Sequence, residues 1–161
     1  MQLPPIIPTT DRATGYATIA AQWKALLQDE TDAIAAMANF SALLKHTFNW
    51  HWVGFYRVLG EELVLGPFQG PVACVRIGKG KGVCGTAWAE DRTVVVPDVD
   101  LFPGHIACSP HSRSEIVVPC CGRSGVVVAV LDVDSSELDD FTSLDARMLE
   151  TLCEALIPLF A

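Results

Sequence analysis

Residues 71–119 limit the folds that are open to this chain, because glycine and proline interrupt them too frequently for a long helix or strand. The segment reads PVACVRIGKGKGVCGTAWAEDRTVVVPDVDLFPGHIACSPHSRSEIVVP. Its pattern predicts a strand at 72–77, a loop at 78–82, a helix at 83–89, a strand at 93–96 and an irregular segment at 98–114. Irregular segments of that length are usually functional in compact domains. We therefore expect the rest of the chain to be a scaffold for this segment.

Clear periodicities on both sides predict the scaffold. Apolar residues at helical spacing predict helices at 16–28, at 31–48 and after Phe141, where Thr142 and Asp145 resemble a capping box. Aromatic and β-branched runs predict strand pairs at 50–58 with 62–66, and at 115–118 with 125–134. This order predicts an α+β fold, a mostly antiparallel sheet flanked by helices. We expect residues 1–12 to form a tail and residues 13–161 one domain.

Composition excludes several classes of function. The net charge is −8, and its 19 acids and 11 bases are scattered, apart from a small basic group at Arg76, Lys79 and Lys81. We expect no nucleic-acid partner, since phosphate binding needs a basic face. No apolar run reaches the roughly 18 residues of a membrane span. The first residues lack the basic start and apolar core of a secretory signal, so we expect a cytoplasmic protein without a membrane partner.

The six cysteines need individual explanations, because a reducing compartment keeps thiols for packing, metal binding or chemistry. Cys84 falls at the predicted start of a helix, where the helix dipole favours a thiolate. Cys108 falls in the irregular segment, where a thiol can be exposed, and Cys74 ends the loop that leads from the first hairpin. For the remaining cysteines, packing or incidental exposure is the better interpretation: Cys120, Cys121 and Cys153.

The cysteine placement favours thiol redox chemistry, and two binding motifs offer alternatives to it. The letters GKGVCG at residues 80–85 match the dinucleotide-binding pattern, but they follow a hairpin and precede a helix that is too short. We expect these glycines instead to bring backbone N–H groups close to an anionic ligand group. Cys74, Cys84, His105 and Cys108 have the ligand types of a zinc site without its short spacings. We therefore expect neither a metal nor a cofactor.

Three acids and two aromatic residues are candidates for a binding pocket. Asp132 and Asp134 point to one side of an apolar strand, and Glu115 begins another strand. If the three carboxyl groups converge, at least one keeps its proton near neutrality, whereas a solvated strand edge is the alternative. Alternation puts Trp52 and Tyr56 on one strand face together with Trp50 and Gly54, either as a pocket wall or as core residues.

Taken together, the motifs resemble those of the free methionine-(R)-sulfoxide reductase family, whose members are GAF-domain enzymes. The similar segments are ETDAIAAMANFSALL, NWHWVGFY, LVLGPFQGPVACVRIGKGKGVCGTA, PGHIAC, SEIVVP and VLDVDS. The resemblance is close over residues 29–135 and looser in the final helix. It rests above all on the three cysteine motifs, which a general GAF domain would not be expected to combine.

The resemblance implies a GAF-like fold and a reaction. Free methionine sulfoxide would be the substrate and thioredoxin the reductant, and a homodimer is compatible. Cys108 resembles the nucleophile, Cys74 the resolving cysteine and Cys84 an auxiliary cysteine. The remaining family positions resemble substrate-binding residues: the acids Glu115, Asp132 and Asp134 and the aromatic residues Trp52 and Tyr56.

The chain departs from the family pattern at several positions. Ser109 stands where an aspartate usually follows the nucleophile, Ala129 stands where a glycine is frequent, and the turn at 120–125 is one residue longer. The main alternative is a non-catalytic GAF domain that senses a small ligand, since a fold does not fix a function. A zinc-binding structural module is a third interpretation, which metal analysis would distinguish.

Overall fold

The structure, a computed structural model, describes residues 5–160, so the first residues of the predicted tail lie outside the described part. Four helices form: α1 (Arg12–Leu27), α2 (Ala33–Phe48), α3 (Gly82–Glu90) and α4 (Ser143–Glu154). Six strands form: β1 (Trp52–Leu59), β2 (Glu62–Gln69), β3 (Arg76–Gly78), β4 (Val94–Val96), β5 (Ser114–Cys121) and β6 (Val127–Ser135). Short 3₁₀ turns cover Val99–Leu101 and Ile157–Leu159.

The six strands make one antiparallel sheet in the order β3-β2-β1-β6-β5-β4. The predicted α+β class, with a mostly antiparallel sheet flanked by helices, is confirmed. Both predicted hairpins are present, since β1 pairs with β2 and β5 pairs with β6. The closing pair, β1 with β6, joins strands about 70 residues apart and makes β6 an interior strand.

Each face of the sheet covers its own apolar core. Helices α1, α2 and α4 pack on one face, where the side chains of β6 are Ala129, Leu131 and Val133. Helix α3 packs on the other face, against Val130 of β6 and Val117 of β5. The period-2 alternation of β6 therefore separates the face with Ala129, Leu131 and Val133 from the face that carries Asp132 and Asp134.

The helix starts follow from capping side chains. Asp11 accepts hydrogen bonds from the N–H groups of Ala13 and Thr14, so α1 begins four residues before the predicted start at residue 16. Asp32 caps α2, where its carboxylate accepts from the Ala35 N–H at 2.9 Å. The predicted capping box of α4 is also present, with the Asp145 carboxylate accepting from the Thr142 N–H at 2.8 Å. Within residues 5–160, no helix combines the length and apolar character needed to cross a bilayer.

Two local predictions are wrong. Trp50 does not share the face of Trp52, because it precedes β1 and packs with Phe48 and Phe141 in the helix-side core. The predicted strand at 72–77 is reduced to Arg76–Gly78, since the preceding residues leave the sheet. Their path is fixed by aromatic side chains of β1, which hydrogen-bond to two of their carbonyl groups.

Candidate active site

Register across the three central strands brings the predicted acids together. Asp134 of β6 lies opposite Trp52 of β1 on one side and Glu115 of β5 on the other. Two residues along β6, Asp132 lies opposite Gly54. A Cβ at that glycine would stand 2.3 Å from a Phe68 carbon, so the strands pack closely here. The acids thus lie on interior strands of the sheet, and the solvated-edge alternative is wrong.

Burial and mutual repulsion make all three acids hard to ionise. Glu115 is 5% exposed and Asp132 is 7% exposed. Burial, followed by the neighbouring Asp134 charge, raises the pKa of Glu115 well above its ordinary value. Burial and Glu115 do the same to the pKa of Asp132, and burial and Asp132 to the pKa of Asp134. Protons are therefore retained in this cluster at pH values where exposed acids have lost theirs.

Cys84 contradicts the expectation drawn from its helix position. It lies in the first turn of α3, but it is 3% exposed and faces the acids rather than solvent. Burial, and then the charges of Asp132 and Glu115, raise the pKa of its thiol well above the ordinary value. The helix dipole is a smaller effect than this desolvation. Cys84 is therefore a protonated thiol in the wall of the acid cluster.

Cys74 and Cys108 lie together at the mouth of the cluster. They form a disulfide with their Cα atoms 5.6 Å apart, although 34 residues separate them in the chain. The bond joins the two cysteines that the resemblance implies as nucleophile and resolving cysteine. Cys108 lies in the irregular segment before β5, and Cys74 lies between β2 and β3, so both belong to loops. Because the bridge uses both sulfurs, Cys74 and Cys108 are not free to act as zinc ligands in this structure.

The two predicted aromatic residues, Trp52 and Tyr56, are buried and also line the pocket. Trp52 and Tyr56 stack with ring centroids 6.0 Å apart. The Trp52 Nε1–H donates to the Pro71 carbonyl at 3.1 Å, and the Tyr56 hydroxyl donates to the Cys74 carbonyl at 2.9 Å. Tyr56 therefore positions the backbone of Cys74. The two alternatives considered from sequence, core residue and pocket wall, both hold.

Several neighbours of these residues could not be assigned from sequence. His105 Nε2 lies 3.5 Å from Glu115 Oε2 and connects the buried acid to the loop. Burial lowers the pKa of His105, so a neutral imidazole faces the carboxyl. The Ser112 hydroxyl donates to Asp134. Each of these contacts depends on how the segment at 98–114 folds back over the sheet, and no spacing in the sequence encodes that path.

The position after Cys108 also has a partner. Ser109 Oγ lies 2.9 Å from Nε2 of His51, the residue before β1. Ser109 Oγ also accepts from the His111 N–H at 3.3 Å. Where the resemblance implies an aspartate, a neutral hydroxyl therefore ties the cysteine loop to the start of β1.

The glycine motif at residues 80–85 has a packing explanation. A Cβ at Gly85 would stand 2.4 Å from the Gly78 carbonyl oxygen, so α3 can approach this loop only with glycine there. The N–H of Gly80 donates to the Gly85 carbonyl, and the N–H of Gly85 donates to the Lys81 carbonyl. These two N–H groups are therefore not available to an anionic ligand, whereas Gly82 and Val83 of the same motif line the pocket.

The other cysteines lie away from this site. Cys120 and Cys153 are buried in the helix-side core, as the packing interpretation predicts. Cys121 is partly exposed and lies 3.8 Å from the Asp91 carboxylate. The pocket itself has a volume of about 40 Å³ with the bridge closed. Its wall includes every predicted site residue: Trp52, Tyr56, Cys84, Cys108, Glu115, Asp132 and Asp134 line it directly, and Cys74 joins it through the disulfide.

A curled antiparallel sheet with a pocket between one face and its covering loops is the architecture of a GAF domain, and a GAF domain profile matches residues 32–156. The chain is 52% identical to GAF domain-containing protein A of Dictyostelium discoideum over 142 residues, 88% of this chain and 89% of that protein. It is 44% identical to free methionine-R-sulfoxide reductase of Escherichia coli over 147 residues, 91% of this chain and 88% of that protein.

Comparison of structures agrees with these matches. The free methionine-R-sulfoxide reductase of Neisseria meningitidis, solved in complex with its substrate, superposes with a TM-score of 0.94 at 48% identity. The superposition covers 99% of this chain and 96% of that one. The chain belongs to the GAF domain family and, within it, to the group that contains the free methionine-R-sulfoxide reductases.

Proposed function

We propose that this protein reduces free L-methionine-R-sulfoxide to L-methionine, with thioredoxin as the reductant. The observation that carries the proposal is the Cys74–Cys108 pair at the mouth of a pocket lined by three buried acids. The names of close relatives from Escherichia coli and Neisseria meningitidis support the same substrate. A reducing compartment such as the cytoplasm would supply the electrons.

The proposed reaction starts with Cys108 and Glu115. The Cys108 thiolate attacks the sulfoxide sulfur while a protonated carboxyl group, Glu115 or Asp134, donates its proton to the sulfoxide oxygen. The raised pKa values of both acids support this role, because each can hold a proton near neutrality. The oxygen, now protonated, passes to the Cys108 sulfur as its bond to the substrate sulfur breaks, so methionine leaves and Cys108 becomes a sulfenic acid. Ionised members of the cluster would hold the substrate ammonium.

Resolution then converts the sulfenic acid into the Cys74–Cys108 disulfide, which thioredoxin would reduce back to the dithiol. The Cys74 thiol attacks the Cys108 sulfenic sulfur, water leaves and a disulfide forms, so one sulfoxide consumes two thiol electrons. The Tyr56 hydrogen bond to the Cys74 carbonyl supports this step, since it keeps the second cysteine within bonding distance. His105, 3.5 Å from Glu115, is suited to return a proton to the acid from the loop side.

The pocket volume supports a loop that opens between turnovers. At about 40 Å³ the bridged pocket is far below the roughly 300 Å³ of small-molecule sites, so reduction of the bridge has to precede substrate entry. Exposed apolar side chains flank the bridge: Val72 is 88% exposed and Val75 is 61% exposed. They suit the docking of a protein reductant such as thioredoxin. A homodimer, which light scattering tests, is compatible with the same proposal.

Turnover with separated epimers tests the proposal. With thioredoxin, thioredoxin reductase and NADPH, we expect consumption of the free R-sulfoxide and little or none with the S-epimer or a peptide-bound sulfoxide. Cys108→Ser should abolish methionine release, and Cys74→Ser should release at most one methionine per chain before stalling. Cys121→Ser, which changes a thiol outside the pocket, is the matched control. A folded protein that consumes no free R-sulfoxide would instead favour the ligand-sensing alternative.

A further inference from the structure

Three side chains that can ligate a metal meet inside the pocket. The Cys84 sulfur and one carboxylate oxygen each from Glu115 and Asp132 all lie within 4.8 Å of one another. They come from three different elements, α3, β5 and β6, which pack tightly against each other. The sequence spacings of these residues resemble no metal motif, because the set is assembled by strand register and by the seating of α3.

A second observation points to a cation. Asp132 Oδ1 is buried and accepts no hydrogen bond from the part of the chain that the structure describes. The residue is only 7% exposed and lines the pocket. A buried carboxylate oxygen without a donor is costly, and a bound cation would remove that cost.

The ligand chemistry selects the kind of cation. Metal–ligand distances of about 2.0–2.3 Å place tetrahedral zinc ligands roughly 3.3–3.8 Å apart, so side-chain shifts of about an ångström would close this set around an ion. One thiolate and two carboxylates suit Zn²⁺ or Co²⁺ better than Ca²⁺ or Mg²⁺, which prefer oxygen ligands throughout. Three protein ligands leave a fourth position toward the cavity, whose 40 Å³ can hold a metal-bound water.

We propose that Cys84, Glu115 and Asp132 bind one thiophilic divalent cation, and that this cation competes with methionine sulfoxide for the pocket. The competition rests on the proposed function, because a metal ion on these carboxylates occupies the position assigned to the substrate ammonium. The cation is an inhibitor in this scheme, and the reduction of the sulfoxide does not use it. Cys84 thereby acquires a role distinct from the thiol exchange of Cys74 and Cys108.

Cobalt binding tests the site without any activity measurement. The oxidised full chain is used, because its bridge removes Cys74 and Cys108 as competing thiols. We expect one Co²⁺ per chain with a sulfur-to-cobalt charge-transfer band, and Zn²⁺ should displace the cobalt. Cys84→Ser should remove the band and weaken Zn²⁺ binding at least tenfold, whereas Cys121→Ser should change neither.

Asp132→Asn provides an independent arm if Cys84→Ser fails to fold. It keeps every sulfur and should still weaken Zn²⁺ binding at least tenfold, with folding checked by circular dichroism. No charge-transfer band in the wild type, or unchanged affinity in both folded variants, would overturn the site.

Competition is measured in the Cys74→Ser, Cys108→Ser double variant, which has neither bridge nor nucleophile and leaves Cys84 as the pocket thiol. We expect the intensity of the sulfur-to-cobalt charge-transfer band to fall as the concentration of free methionine-R-sulfoxide rises. A band that saturating sulfoxide leaves intact would overturn the competition, provided that the wild type turns the sulfoxide over. Absence of turnover in the metal-free wild type would refute the proposed function and would leave the cobalt result as it stands.

Discussion

Replacing Glu115 with glutamine should make the folded protein more stable at neutral pH while it impairs catalysis. Glu115 is 5% exposed, and burial together with the Asp134 charge raises its pKa well above the ordinary value of 4.5. The folded protein thus keeps a proton that the unfolded chain releases. Glutamine retains the size of the side chain and has no proton to release in either state.

The sign and size of the stability effect follow from proton linkage. Above pH 4.5 the unfolded wild-type chain ionises Glu115 while the folded chain does not, so rising pH favours the unfolded state. Each pH unit over which this difference persists lowers the free energy of unfolding by about 1.4 kcal/mol. The effect ends at the pKa of the folded carboxyl. Glu115→Gln should lack this contribution, so its advantage over the wild type should grow from pH 5 upward.

Urea denaturation at pH 5, 6, 7 and 8 measures the slope, and Glu61→Gln, which removes an exposed acid, is the matched control. We expect parallel curves for the control and the wild type, and a flatter curve for Glu115→Gln. In the turnover assay Glu115→Gln should lose at least tenfold in kcat/KM, mainly through kcat if it is the proton donor. A stability difference that stays constant from pH 5 to pH 8 would refute the idea of a buried protonated acid.

Three further changes probe other parts of the molecule. Gly54→Ala should destabilise the fold by about 1–3 kcal/mol in thermal denaturation, because its Cβ would lie 2.3 Å from the nearest side-chain atom. Ser109→Ala removes the 2.9 Å contact with His51 and should slow single-turnover methionine release several-fold, with a stability loss of only about 0.5–1.5 kcal/mol; an unchanged rate would mean that the contact does not position the loop. Val75→Asp should raise the KM for thioredoxin and spare single-turnover release, whereas Val126→Asp, on the distant β5–β6 turn, should do neither; equal effects would place the docking surface elsewhere.

Local sequence patterns predict most of the helices and strands and show that the two aspartates of β6 share one face. Local signals suffice for this, because a cap, an apolar period or a turn involves residues only a few positions apart. Thr142 with Asp145 caps the last helix, as expected. Alternation alone put Asp132 and Asp134 on one side of their strand, and the pairing register bears this out.

The burial, the protonation and the partners of those side chains depend on the tertiary structure. Asp132 is buried because β1, nearly 80 residues earlier, pairs with β6 and presents Gly54 opposite it. Cys84 keeps its proton because it is buried and faces three acids from other elements. These two effects outweigh the helix dipole that was visible in the sequence. The partners of Ser109 and Glu115, His51 and His105, depend likewise on the path of one loop. Burial and charge interactions depend on distances in space, and residues far apart in sequence set those distances only when the whole sheet has formed.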